Sequence, residues 1–588
     1  MTLPVERTAP ADTRPQHQDD AADARIAALE AELGDPWNPA NPYGNDTLLL
    51  ADERAELPAE AVRLLDRFGL GAEFVPARLG GRLERADLLV RMLRPVFRRD
   101  PSLGVGYGAG SYLAASAVWA AGSERQQRDT ADLLLAGRRA AVAYRDLAHG
   151  NAFLREEFHL AGAPGARRLN GAKRVIVNSA QAAAAVVFCR TDDRPGSRSH
   201  TAVLLERDRL PADRVRDLPR YPTVGLRGCW MGGLALDDCP VPDDALLGEW
   251  GGGVDLALSS FALTRSVLPS MVLAGVDTAL RTALRFALQR GVYGRPVLRN
   301  PQARASLAGS FADLLVCDSL ALTATRAAHL YPEAAGGYAA AVKYLLPILL
   351  SDTVHDLSVL LGSNLYVKEG EFGVFQKHVR DLPITSLGHS GTAACHSTII
   401  PRLPVLADRS WLREPPPAPG LFHLRGDLPE PDPRRIGRTA DHDPLLAELA
   451  HGTALLADLP DERHPAAPAL AAVLDAELRE LRDACRAMAD HGRTGLATPR
   501  SYGLADRYTL LLAAASCLGV WRHHRDRDDF LGRPGWLVLA LQRICRRLVP
   551  GLTDRAAPED ETLTELLRRY REGGSLDLYD TPTAARGE

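Results

Sequence analysis

A chain of 588 residues is too long for one hydrophobic core, and a length prior gives about three or four domains. Its 46% hydrophobic and 24% charged residues are those of a globular protein, and a formal net charge of -4 leaves no electrostatic case for nucleic acid or an anionic membrane. No unbroken run of about 18 apolar residues occurs, so no membrane span is predicted.

Lysine occurs only at Lys173, Lys343, Lys368 and Lys377, so arginine carries nearly all the positive charge, as a codon bias toward Arg and Ala would produce. The eight cysteines are scattered with no CxxC pair, which argues against a zinc site or a disulfide framework and for a reducing cytoplasm.

In chain order, residues 1–25 have no apolar core and several acids, and read as a disordered tail. Residues 26–140 place Leu, Val and Phe at helical spacing, as in AELPAEAVRLLDRFGL and ADLLVRMLRPVF. From 141 to 250 the texture changes to short β-type runs such as RVIVN and AAVVFCR, separated by turn residues. Long helices return over 251–412, with helices expected at Arg265–Arg290, Gln302–Ala328 and Gly337–Leu361 as much of a four-helix bundle. Pro269 is expected near the first turn, where the missing amide costs least. The Pro-rich stretch 413–442 reads as a linker, and 443–588 as a further Leu/Ala-rich helical domain without a chemical motif.

Three motifs carry more than periodicity. They are the ordered set LGAEFVPARLGG, RRDPSLGVGYG and GSERQQRDTADLLLAG in the N-terminal region, the tract from Gly225 through Arg227, Asp237, Val241 and Pro242 to Gly248, and the segment Tyr366–Arg402 with Arg380-Asp381 and Gly391-Thr392. Together they resemble the acyl-CoA dehydrogenase family over roughly Pro36 to Leu406. The resemblance implies a mainly α fold with a central β-domain: helical domain, β-barrel domain and four-helix bundle, here followed by a C-terminal helical extension. It further implies FAD, an acyl thioester substrate on coenzyme A or a carrier protein, and a homodimer or homotetramer.

The resemblance assigns cofactor contacts to Arg290 and Tyr293 within Arg290-Gly-Val-Tyr-Gly-Arg-Pro, to Gln302, to Gly362 in the turn Leu361–Tyr366, to Asn178 at the end of Val175-Ile-Val-Asn, and to Thr392. A guanidinium fork such as that of Arg290 suits a pyrophosphate. Several positions depart from the family pattern. Val177 stands where the family has a flavin-bonding hydroxyl, and Ser363 and Leu365 replace glycines. Ser390 occupies the position of the catalytic glutamate, and Thr264 the alternative position before the helix arginine, Arg265.

Taking an α-proton needs a positioned base, and a lone serine hydroxyl is not one at neutral pH. The Ser390 backbone amide can still serve the thioester oxygen, and His389 is the nearest imidazole, with His396 beyond it. Glu369 and Glu371 read as solvated, and Cys395 as a small buried residue. Two alternatives stay open beside an acyl dehydrogenase: a flavin-dependent monooxygenase of the same fold, and a non-catalytic scaffold.

Overall fold

The computed structural model describes residues 14–144, 155, 157–194, 196–387, 391–432, 435–436, 440–459, 463–488, 498–552 and 559–585. Helices Asn45–Glu53, Ala59–Phe68, Ala86–Arg99, Gly110–Ala121 and Glu124–Leu135 form the first layer. Ser123 and Gln126 close the start of the last as a reciprocal capping box. Asp100 caps the turn Pro101–Gly104, its side chain accepting the Ser102 N–H.

The middle layer is an eight-stranded sheet in the order Val215–Leu218, Met231–Pro240, Arg168–Val177, His159–Ala161, Ala182–Arg190, His200–Glu206 and Leu246–Leu247. Arg139–Ala143 joins it in parallel beside Ala182–Arg190. One face encloses a small core of its own, with Phe158, Leu169, Val187 and Val203 fully shielded. The other residues of Ala182–Arg190, such as Val186 and Phe188, belong to the large helical core. Alternation along the strand serves both cores at once.

Three long helices follow, Gly253–Gln289, Pro301–Leu330 and Pro332–Leu361, and then the shorter Val374–Asp381 and Thr392–Ile399. By length and composition alone the three long segments could cross a membrane; their most apolar windows are 83%, 100% and 50% buried within the fold. The first begins well before the expected Arg265, so Pro269 lies in its middle rather than near its start. A proline there removes one amide from the ladder, and the packing of a helix buried along most of its length outweighs that loss.

Two further expectations are corrected. Part of the expected tail is helical, Arg14–Leu33, with Ala22, Ile26 and Leu29 in the core. Its acids, which argued for disorder, meet buried arginines: Asp19 lies 3.1 Å from Arg85, and Asp23 pairs with Arg91. The expected linker packs on the bundle, with Leu421 and Phe422 fully buried and the Arg326 side chain donating to Gly420 O at 2.6 Å. We call the part around Leu428–Ile436 the strap.

Beyond it, Pro444–Ala457, Ala467–Met488, Pro499–His524, Gly535–Leu548 and Glu559–Glu572 form the C-terminal helical layer. A segment after the last helix returns to the bundle. The Leu576 and Leu578 amides donate to Asp277 and Asp318 at 2.9 and 2.8 Å, and Arg94 bridges Asp318 and Asp577. All eight cysteines are buried and free.

Candidate functional site

The three motifs singled out in the sequence meet at one joint. Asp381 Oδ1 accepts the Leu226 N–H at 2.6 Å, while its Oδ2 faces Lys377 Nζ at 2.7 Å and the Ser102 hydroxyl at 3.3 Å. Arg380 reaches the Val224 carbonyl and the Asp52 carboxylate. A Cβ on Gly225 would stand 2.0 Å from Arg380 O, so only glycine allows this approach. The joint therefore fixes where the first helical layer, the sheet and the bundle meet.

The residues matched to cofactor contacts fall in two groups. Arg290, Tyr293, Gln302 and Gly362 are all exposed, Tyr293 fully so on the hairpin Gly291–Val292/Arg295–Pro296. Gly362 has φ 57° and ψ -130°, a conformation suited to glycine. Asn178 is buried at the strand end in the left-handed region, φ 62°. Its Nδ2 donates to Gly106 O at 2.8 Å, whereas Asn178 Oδ1 and Ser179 Oγ have no partner among the described residues. Thr392 opens the helix Thr392–Ile399. His389 and Ser390 lie outside the described residues.

Next to this strand end the helix Gly110–Ala121 begins. A Cβ on Gly110 would be in contact with Val177 Cγ1 at 3.4 Å. Ser111 fastens the helix to the sheet, donating to Ala140 O at 3.4 Å and accepting its N–H at 3.1 Å. Further along, Tyr112, Ser116 and Trp119 wall a cavity of about 840 Å³. Its opposite wall is Ser259, Ser260 and Leu263, and the strap contributes Leu428 and Ile436.

The cavity thus reaches the helical turn that bears Thr264 and Arg265. The Thr264 hydroxyl is turned onto its own helix, 3.3 Å from Phe261 O, and Arg265 Nη1 donates to Thr398 at 3.2 Å. The quoted N-terminal segments supply part of the lining, Pro76–Arg78 with Gly122 and Gln127, but Tyr112, Ser116, Ser259 and Ser260 were not singled out in the sequence. The one usable signal was Ser260, four residues before Thr264 and so one turn away on the same face.

Of the other acid–base candidates, Glu369 is exposed, and three are spoken for. His396 Nε2 lies 3.3 Å from Asp506 Oδ1, and its ring sits tilted to Tyr344 and edge-on to Tyr502, with centroids 4.5 and 5.0 Å away. Glu371, expected to be solvated, accepts from Arg285 and from Gln289 Nε2 at 2.8 Å. Cys395 is fully buried, and burial pushes its thiol above the usual range.

Comparisons with known proteins agree with this arrangement. Residues 251–403 match the family model "Acyl-CoA dehydrogenase, C-terminal domain". Human mitochondrial short-chain specific acyl-CoA dehydrogenase is 27% identical over 358 residues, covering 59% of this chain and 83% of that protein. The structure of an acyl-CoA dehydrogenase from Bacillus anthracis, complexed with FAD, superposes with a TM-score of 0.70 at 18% identity, covering 95% of this chain and 91% of that one. The C-terminal layer therefore has a structural counterpart there. Butyryl-CoA dehydrogenase from Megasphaera elsdenii gives 0.57 at 18% identity and covers 66% and 97%. With the joint, the layer order and these likenesses together, the chain has the acyl-CoA dehydrogenase fold, and its residues 251–403 match that family's C-terminal domain.

Proposed function

We propose that this protein is a FAD-dependent oxidoreductase acting on an acyl thioester carried on coenzyme A or an acyl carrier protein, with a base other than the family's glutamate. The observation that carries the reading is the cavity between Tyr112 and Ser260, which runs from the turn of Thr264 and Arg265 along a helix anchored beside Val177 and Asn178. Its volume of about 840 Å³ is within the range of small-molecule sites.

The residues present fit FAD in part. Asn178 Oδ1 and Ser179 Oγ are buried polar atoms without a partner among the described residues, at the strand end the resemblance assigns to the flavin. Such atoms are costly unless something satisfies them. Arg290 presents an exposed guanidinium for the pyrophosphate. Bound FAD would supply the hydride acceptor for dehydrogenation. Val177 offers no hydrogen bond where the family has a hydroxyl, so binding is weaker here by about 1 kcal/mol at that point.

For the proton, elimination favours His389. Thr264, His396, Glu371 and Cys395 are each committed to other partners or buried as apolar groups. The Ser390 amide would serve the thioester oxygen, and Thr392 the cofactor. Arg290, Tyr293, Gln302 and Gly362 are exposed, as are the apolar side chains of Val292, Val359, Tyr366 and Val367. Burial of that apolar surface favours a homodimer or homotetramer in which these residues meet the neighbour's cofactor. The cytoplasm remains the proposed location.

The test is spectroscopic. Protein reconstituted with FAD and freed of excess should bleach anaerobically with acyl thioesters. Retained flavin that no acyl thioester bleaches would overturn the dehydrogenase reading and favour the monooxygenase.

A further inference from the structure

Tyr112 is the deeply buried member of the cavity-wall groups whose side chains make no hydrogen bond among the described residues; Gln18 is half-buried, and Glu84 and Glu430 are exposed. The Tyr112 side chain is 3% exposed, and its hydroxyl has no hydrogen-bond partner among the described residues. Burial holds the phenol neutral, well above its ordinary pKa, so the group keeps a proton to donate. The side chain is also fixed: its ring lies 6.2 Å from Phe74, and Ser111 ties the same turn to Ala140.

The neighbouring hydroxyls have spent their protons. Ser116 donates to Leu113 O at 2.9 Å, Ser259 to Leu256 O at 3.1 Å and Ser260 to Leu256 O at 2.7 Å. These hydroxyl oxygens retain lone pairs and act as acceptors. The Trp119 N–H is taken by Phe74 O at 3.0 Å, and Arg85 pairs with Asp87 and Asp19. His329 stands between the Ala86 amide and the Pro429 carbonyl at 3.2 and 2.9 Å. Among the hydroxyls of the wall, one fixed donor thus faces several acceptors in a partly apolar chamber. A plain alkyl chain would leave that donor unsatisfied, which is the costly arrangement. A hydroxyl satisfies both sides, accepting from Tyr112 and donating to a serine oxygen.

We propose that this cavity selects an acyl group bearing an oxygen function along its chain, with Tyr112 as the specificity-determining hydrogen-bond donor. The proposal rests on the acyl-thioester reading of the cavity given above. It does not depend on which residue is the base or on tight flavin binding.

The experiment is calorimetric binding to the full chain of pantetheine thioethers, which share the arm of coenzyme A and carrier proteins and cannot be dehydrogenated. A set of ω-hydroxyalkyl thioethers from propyl to hexyl is compared with the n-alkyl isosteres. At least one hydroxylated member should bind about tenfold more tightly than its isostere, and Tyr112→Phe, which keeps the ring, should abolish that preference. Equal binding of each pair to the native protein, or a preference that survives in Tyr112→Phe, overturns the assignment of Tyr112 while leaving the cavity as an acyl site. Failure of every thioether to bind overturns both the assignment and the acyl-thioester reading.

Discussion

Lys377 Nζ lies 2.6 Å from Asp100 Oδ1 and 2.7 Å from Asp381 Oδ2, so one buried ammonium ties the cap of Pro101–Gly104 to the Arg-Asp pair of the bundle. Burial disfavours this charge, but Asp100, Asp381 and Asp52 outweigh it and hold the lysine above its usual pKa. Its contribution is thus complete below the ordinary value of 10.5 and fades only as pH rises beyond the folded value. Lys377→Met leaves two buried carboxylates unpaired and should destabilise by about 3–5 kcal/mol. Thermal unfolding near neutral pH measures it; an unchanged midpoint would show that the joint is not what binds the layers.

Gly225→Ala tests the same joint from its backbone side. The new methyl must displace Arg380 O, which stands 2.0 Å away, and a loss of about 2–4 kcal/mol is expected. Denaturant melts compared with those of Gly196→Ala, a glycine with open space around its Cβ, isolate the packing effect.

The base assignment is tested by His389→Ala, which should abolish turnover of acyl thioesters while bound flavin is unchanged. Unaltered turnover removes His389. In the complementary Ser390→Glu, a carboxylate is restored at the family position, and ordinary dehydrogenation should rise over a panel of acyl thioesters.

Glu448 gives a pH signature in the C-terminal layer. It is fully buried 3.0 Å from Arg522 Nε, and burial outweighs the arginine, raising its pKa to about 7. The folded state therefore binds this proton more tightly than the unfolded state, whose value is near 4.5. The stability it contributes is complete below about 4.5 and is lost as pH rises through about 7. Glu448→Gln should flatten the fall in melting temperature between about pH 5 and pH 8, a difference on the order of 2 kcal/mol. Parallel slopes for the two proteins would place the charge elsewhere.

What the sequence made legible was set by close approach and by capping. Gly225, Asp100 and Asp381 each hold a position that one residue type satisfies, so their pattern survives where overall identity is low. Composition misled where ion pairs, rather than apolar runs, bring a segment inside. Asp19 and Asp23 made a helix look like a tail, and their arginines are dozens of positions away. In the Pro-rich stretch 413–442, prolines and charges hid Phe422, whose ring fills the space a Cβ on Gly519 would need at 2.2 Å. The cavity was invisible because its walls come from separate stretches of chain, and Tyr112 reads in sequence as ordinary helix.

The segment Gly574–Leu578 reaches back across an unusual sequence span. Its amides satisfy Asp277 and Asp318 from 299 and 260 positions later, and Arg281 donates to Gly574 O. During synthesis, the arginines that answer these acids, Arg94, Arg98 and Arg281, are already made when the bundle helices emerge, whereas the two amides are not. The bundle acids are therefore paired before the C-terminal segment exists, and the returning segment adds the last hydrogen bonds together with Asp577, a second carboxylate for Arg94 and Arg98. Its arrival acts as a latch on an ion-pair network laid down earlier in the chain.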